Sequence, residues 1–117
     1  MKRFGLSPGT LDCLRNIFIH YPAVESVRLY GSRAKGTSHE RSDIDLAVFG
    51  QGIDRFIVAS LMHDIDDSEI PYLVDIQDFA TLRNPGLIDH IQRVGQEIYH
   101  RPETIAQAPL STPRRTG

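Results

Sequence analysis

Tryptophan is absent from this 117-residue chain, and cysteine occurs once, at Cys13. A lone thiol excludes a disulfide framework and a thiolate zinc site. Cys13 falls among apolar residues of an expected helix and reads as a small core filler. A large excess of either charge is also missing: 13 Lys and Arg against 15 Asp and Glu give a formal net charge of -2. That balance argues against wholesale capture of nucleic acid, which needs a clearly basic face, so no direct nucleic-acid partner is expected. No apolar run is long enough to span a bilayer, and the opening MKRFGLSPGT lacks the apolar segment of a secretory signal. With a reduced thiol, these absences point to a cytoplasmic protein without a membrane partner. The length allows one domain with one modest core.

Hydrophobic spacing supplies the elements. Ser7-Pro8 reads as a cap and first turn, and Leu11, Leu14, Ile17 and Phe18 follow at helical spacing until Tyr21-Pro22. Val24 to Tyr30 is short and β-branched enough for a strand, which Gly31-Ser32 breaks. Arg33 to Gly36 suits a short helical turn, and Thr37 to Ser42 a polar connection. Asp43 to Phe49 is the second expected strand. Ile53 to Asp66 is expected to be helical, with Phe56, Ile57, Leu61 and Ile65 facing inward. Tyr72 to Phe79 is the third strand. Asn84-Pro85 opens a last helix whose stripe runs through Leu87, Ile88, Ile91, Val94 and Ile98. The order is α-β-turn-β-α-β-α, an α/β (α+β) fold with a small mixed sheet flanked by helices. Residues 1–101 form the expected domain, and 102–117 read as a flexible polar tail.

The chemistry concentrates in LYGSRAKGTSHERSDIDLAVFG, Leu29 to Gly50. Strand periodicity puts Asp43 and Asp45 on one face and Ile44 and Leu46 on the other. Two carboxylates that close repel, so either one is protonated or a cation sits between them. Oxygen ligands one residue apart suit a hard divalent ion, Mg²⁺ or Mn²⁺. Asp75, flanked by Leu73, Val74 and Ile76, supplies a third acid on a strand otherwise built for the core. A D-x-D alone is weak, since exposed strand edges produce it often. Gly31 marks a backbone of positive φ or close approach, and Ser32 follows where backbone N–H groups could seat a phosphate. Arg33 and Lys35 add positive charge beside it. A plain strand-to-helix turn with a capping serine would read the same way, but the ten-residue gap to two aspartates strengthens the pattern.

Gly31-Ser32, ten residues, then Asp43-Ile44-Asp45 resembles the G-S-x10-D-x-D signature of the nucleotidyltransferase superfamily that includes DNA polymerase beta. The fuller stretches Leu29 to Gly36 and Ser42 to Val48 are similar to its minimal members. Tyr72-Leu73-Val74-Asp75 resembles their third-acid strand, and Asn84-Pro85 through Tyr99 their last helix. The likeness runs to about Tyr99. It implies the nucleotidyltransferase fold, ATP as substrate and two Mg²⁺ ions (Mn²⁺ serving the same ligands) held by Asp43, Asp45 and Asp75. It also implies phosphates held at Gly31 and Ser32, with Arg33 and Lys35 as nucleotide contacts. Minimal nucleotidyltransferases (MNT) commonly act as antitoxins to a HEPN ribonuclease toxin, and as a class transfer AMP to one of its tyrosines. The resemblance therefore implies an adenylyltransferase antitoxin with a HEPN-family partner. Two alternatives stay open: an antitoxin that neutralises by binding alone, and an enzyme acting on a small-molecule hydroxyl. A single domain leaves the acceptor, or half the cleft, to a partner or to a second copy in a homo-oligomer.

Other signals read as bland. Asp64 to Glu69 repeats a D-x-D without a glycine turn and reads as a solvated acidic connection. His20, His39, His63, His90 and His100 show no metal-ligand spacing. His39 reads as a solvent-facing loop residue. Asp78 falls on the opposite strand face from Asp75, and Arg114-Arg115 is too short for a nucleic-acid patch.

Overall fold

The structure, a computed structural model, describes residues 4–36 and 43–102. The 37–42 connection with His39, and all but the first residue of the expected tail, lie outside the described residues.

Helix α1, Pro8–Phe18, begins as its sequence dictates: the Ser7 side chain accepts the Thr10 N–H, and Pro8 occupies the first turn. Strand β1, Ser26–Tyr30, ends at Gly31, and the short helix α2, Ser32–Lys35, follows. Strand β2, Ile44–Phe49, leads into α3, Arg55–Asp66, which Asp54 caps by accepting the Ile57 N–H. Strand β3, Val74–Asp78, passes into a 3-10 turn at Phe79–Thr81. Asn84 caps α4, Pro85–Val94, through the Gly86 and Leu87 N–H groups.

The expected last helix is corrected at its end. It stops at Val94, and Gln96–His100 forms a fourth strand, β4. The Gly95 N–H closes on the Ile91 carbonyl, and the chain leaves in extended conformation to pair antiparallel with β1. Ile98 thus reaches the core from the sheet, where the Arg15 side chain also bonds its carbonyl.

The four strands form one mixed sheet in the order β3-β2-β1-β4. β1 runs antiparallel to both neighbours, while β2 and β3 are parallel, a pairing that needs a crossover, supplied by α3. Alternation sends Val27, Leu29, Ile44, Leu46, Val48, Ile76 and Ile98 to one face, under Leu11, Leu14 and Phe18 of α1 and Leu61 and Ile65 of α3. The other face carries Tyr30 and Ala47 under Ile91 of α4. Phe56 is corrected too: it is 67% exposed, with the Arg55 guanidinium over its ring. It lies five residues before Leu61, about 140° around the helix from it, so it turns away from the sheet.

No helix among the described residues is long and apolar enough to cross a membrane.

Candidate active site

The sheet brings the acids together on the α4 face. Asp45 pairs in register with Tyr30 on one side and with Asp75 on the other, so Gly31, Asp45 and Asp75 span three adjacent strands at one end of the sheet. Asp43 stands just before β2, exposed and on the same parity as Asp45. Ile44 and Leu46, between and beyond the acids, are fully buried on the opposite face. The alternation read from sequence is therefore the one the sheet uses.

Electrostatics mark Asp45 as the centre of the cluster. Its carboxyl is pushed above the usual aspartate range, first by burial, then by the charges of Asp75 and Asp43. Tyr30 beneath it is pushed up to about 12 by burial and by Asp45 and Asp75. A cation among these groups would relieve both the repulsion and the lost hydration, so Asp43, Asp45 and Asp75 are the residues that could hold one. Among the described residues no three such side chains yet converge to enclose an ion. Asp75 Oδ2 instead accepts a hydrogen bond of 3.0 Å from the Gln77 amide.

Gly31 is required twice over. Its φ of 79° is a conformation open mainly to glycine, and a Cβ there would collide with the Asp45 carboxylate. The turn therefore lies directly against the central acid. Ser32 begins α2, and Lys35, its last residue, is exposed.

Arg33 is buried. It is 2% exposed, its Nη1 donates to the Phe4 carbonyl at 2.8 Å, and its guanidinium lies 4.8 Å from the centre of the Tyr72 ring. The side chain anchors α2 to the protein interior. Sequence spacing alone could not separate a phosphate-facing arginine from a buried one.

Two residues at the site escaped the sequence reading. His90 of α4 accepts the Gly31 N–H through Nε2 at 3.1 Å, and its ring stands edge-on to Tyr30 with centroids 6.0 Å apart. Tyr30 itself reads only as a strand residue. No local signal links positions 31 and 90, which meet because α4 packs over β1. Asp78 caps the turn at Ala80, off the cluster as expected, and Asp64, on α3, accepts the Tyr21 hydroxyl rather than lying in a solvated connection.

Comparison with known proteins follows this geometry. The family described as "Polymerase beta, Nucleotidyltransferase" matches residues 13–104. No curated protein matches the chain. Among solved structures, a chain of a toxin–antitoxin complex with AMP-PNP gives a TM-score of 0.65 at 20% identity, over 85% of this chain and 86% of that one. A chain of an MntA-HepT toxin–antitoxin complex gives 0.61 at 15% identity, over 87% and 79%. A chain of the tri-AMPylated Shewanella oneidensis HEPN toxin in complex with its MNT antitoxin gives 0.54 at 17% identity, over 84% and 78%. At such identities the likeness is one of fold. The family match, which takes in all four strands, the Gly31 turn and α4, goes further: this chain belongs to the polymerase beta nucleotidyltransferase family.

Proposed function

We propose that the chain transfers AMP from ATP to a hydroxyl of a HEPN toxin, most simply a tyrosine hydroxyl, and so acts as that toxin's antitoxin. The observation that carries the reading is the juxtaposition of Asp45 with Asp75 on one side and with the Gly31 turn on the other. Support comes from the family match and from the shared fold with an MNT antitoxin solved with a tri-AMPylated HEPN toxin.

In this reading Gly31 and Ser32 seat the triphosphate, with Lys35 as the nearby exposed cation. Asp43 and Asp45 would hold two Mg²⁺ ions, and Asp75 would bind the one nearer the acceptor. Bound there, the ions would neutralise the triphosphate and lower the cost of ionising the acceptor. The acceptor oxygen bonds to the α-phosphorus, the bond to the bridging oxygen breaks, and pyrophosphate leaves. Asp75, the exposed acid on the edge strand, receives the acceptor proton. The nucleotide enters on the β1 side and the acceptor on the β3 side.

The test is incubation with labelled ATP, Mg²⁺ and the product of the adjacent reading frame, given that this product carries the HEPN ribonuclease motif. Label is expected on the partner, and its loss with Asp43→Asn and Asp45→Asn. An unlabelled partner with the intact protein would remove the enzymatic reading. Full neutralisation of the toxin in cells by the double variant would make binding, not transfer, the function.

A further inference from the structure

We infer that His90 is a positioning residue that holds the Gly31-Ser32 turn in its nucleotide-binding shape, an inference that rests on the nucleotidyltransferase reading above. Within itself the turn is closed by short-range backbone bonds, among them Lys35 N–H to the Gly31 carbonyl at 3.2 Å. α2 is one turn long, bounded by glycines at φ 79° and 78°, and so short a helix has no cooperative stability of its own. Contacts from the rest of the fold add to these local bonds. On one side Arg33 ties it to Phe4 and Tyr72. On the α4 side a tie is the 3.1 Å bond from the Gly31 N–H to His90 Nε2.

That bond acts at the peptide whose orientation matters. Gly31 can adopt φ and ψ values closed to other residues, so the shape of the turn it opens is not fixed by sterics alone. Accepting that N–H holds the peptide plane between Tyr30 and Gly31, the plane from which the turn departs, against α4. The ring is itself held, half-buried and edge-on to Tyr30, so the acceptor is presented rigidly. In a neutral His90, Nε2 is the acceptor and Nδ1 carries the proton. A side chain with an acceptor at the same reach should replace it; one of similar bulk without an acceptor should not.

The experiment compares His90→Leu with His90→Gln in the full chain. Leu fills space but accepts nothing, whereas the Gln amide oxygen extends about as far as Nε2. The readouts are the dissociation constant for AMP-PNP with Mg²⁺ by calorimetry and the melting temperature of each variant. His90→Leu is expected to bind AMP-PNP about five- to tenfold more weakly, the effect of one ordinary hydrogen bond, with His90→Gln within about twofold of the parent. Unchanged binding in His90→Leu would overturn the inference. Equal weakening in both variants would also overturn it, since ring packing rather than the acceptor would then matter. If His90→Leu does not fold, His90→Gln decides by the same twofold margin. Absence of AMP-PNP binding by the parent protein would instead overturn the nucleotide reading, and the inference with it.

Discussion

Asp45 is where the site concentrates its electrostatic cost. Its carboxyl is raised by burial and by two neighbouring acids, so the ionised form is disfavoured in the folded chain. The sign follows directly: a folded-state value above the unfolded one contributes stability at acid pH that is lost as pH rises through the folded value. At neutral pH without a cation, the Asp45 charge therefore opposes folding. Asp45→Asn is expected to raise the melting temperature in EDTA at neutral pH, to flatten its dependence on pH below neutrality, and to abolish transfer. Mg²⁺ should raise the melting temperature of the parent and leave the variant nearly unmoved. A variant that melts lower than the parent in EDTA would show that Asp45 is structural. The close approach of Gly31 to the same carboxylate explains why a glycine stands there: any larger residue would displace the acid.

Among the elements, the transition from α4 to β4 is decided at Gly95. The backbone turns there so tightly that a Cβ would press on the Ile91 carbonyl and approach Arg28 Cδ at 3.3 Å. Gly95→Ala is expected to destabilise the fold by about 1–3 kcal/mol, the range for inserting atoms into a filled space, measured by urea unfolding. A neutral effect would mean that the junction relaxes freely. The start of α4 was legible in the sequence because Asn84-Pro85 is a local signal whose cap needs only its own neighbours. Its end was not. Ile98 follows Ile91 by seven residues, a spacing that fits a helical stripe, while pairing with β1 depends on a strand some seventy residues earlier. Phe56 was misplaced for a related reason, since its apolar character says nothing of which way the first turn of α3 faces.

Across the whole molecule, three tyrosines join separate layers and report on the integrity of the fold. Tyr21 bonds Asp64 between the end of α1 and α3, and is pushed up to about 12 by burial and by that carboxylate. Tyr30 lies beneath the acids at about 12, and burial raises Tyr99, whose ring packs on Phe18. A phenol raised above its ordinary value of about 10 contributes stability that is complete below that pH and lost as pH climbs through the folded value. Melting temperature should therefore hold steady from neutral pH to about pH 9 and fall between about pH 10 and 12, with Tyr21→Phe losing less over that interval. A tyrosinate absorbance titration of the folded protein with all midpoints near 10 would contradict this.

The sequence by itself determined the family, the common face of Asp43 and Asp45 and the glycine turn, because alternation along a strand and the demands of positive φ are local rules that each residue obeys wherever the strand sits. It also determined which face of β2 is apolar. Tertiary structure alone decided the rest. The β2–β3 register set Asp75 opposite Asp45, and the packing of α4 over β1 brought His90 to the Gly31 N–H. Burial against Phe4 and Tyr72 made Arg33, in sequence only a basic residue beside the Gly31 turn, an anchor of α2 to the interior. Such partners are remote in sequence, and only the packed sheet determines which of them meet.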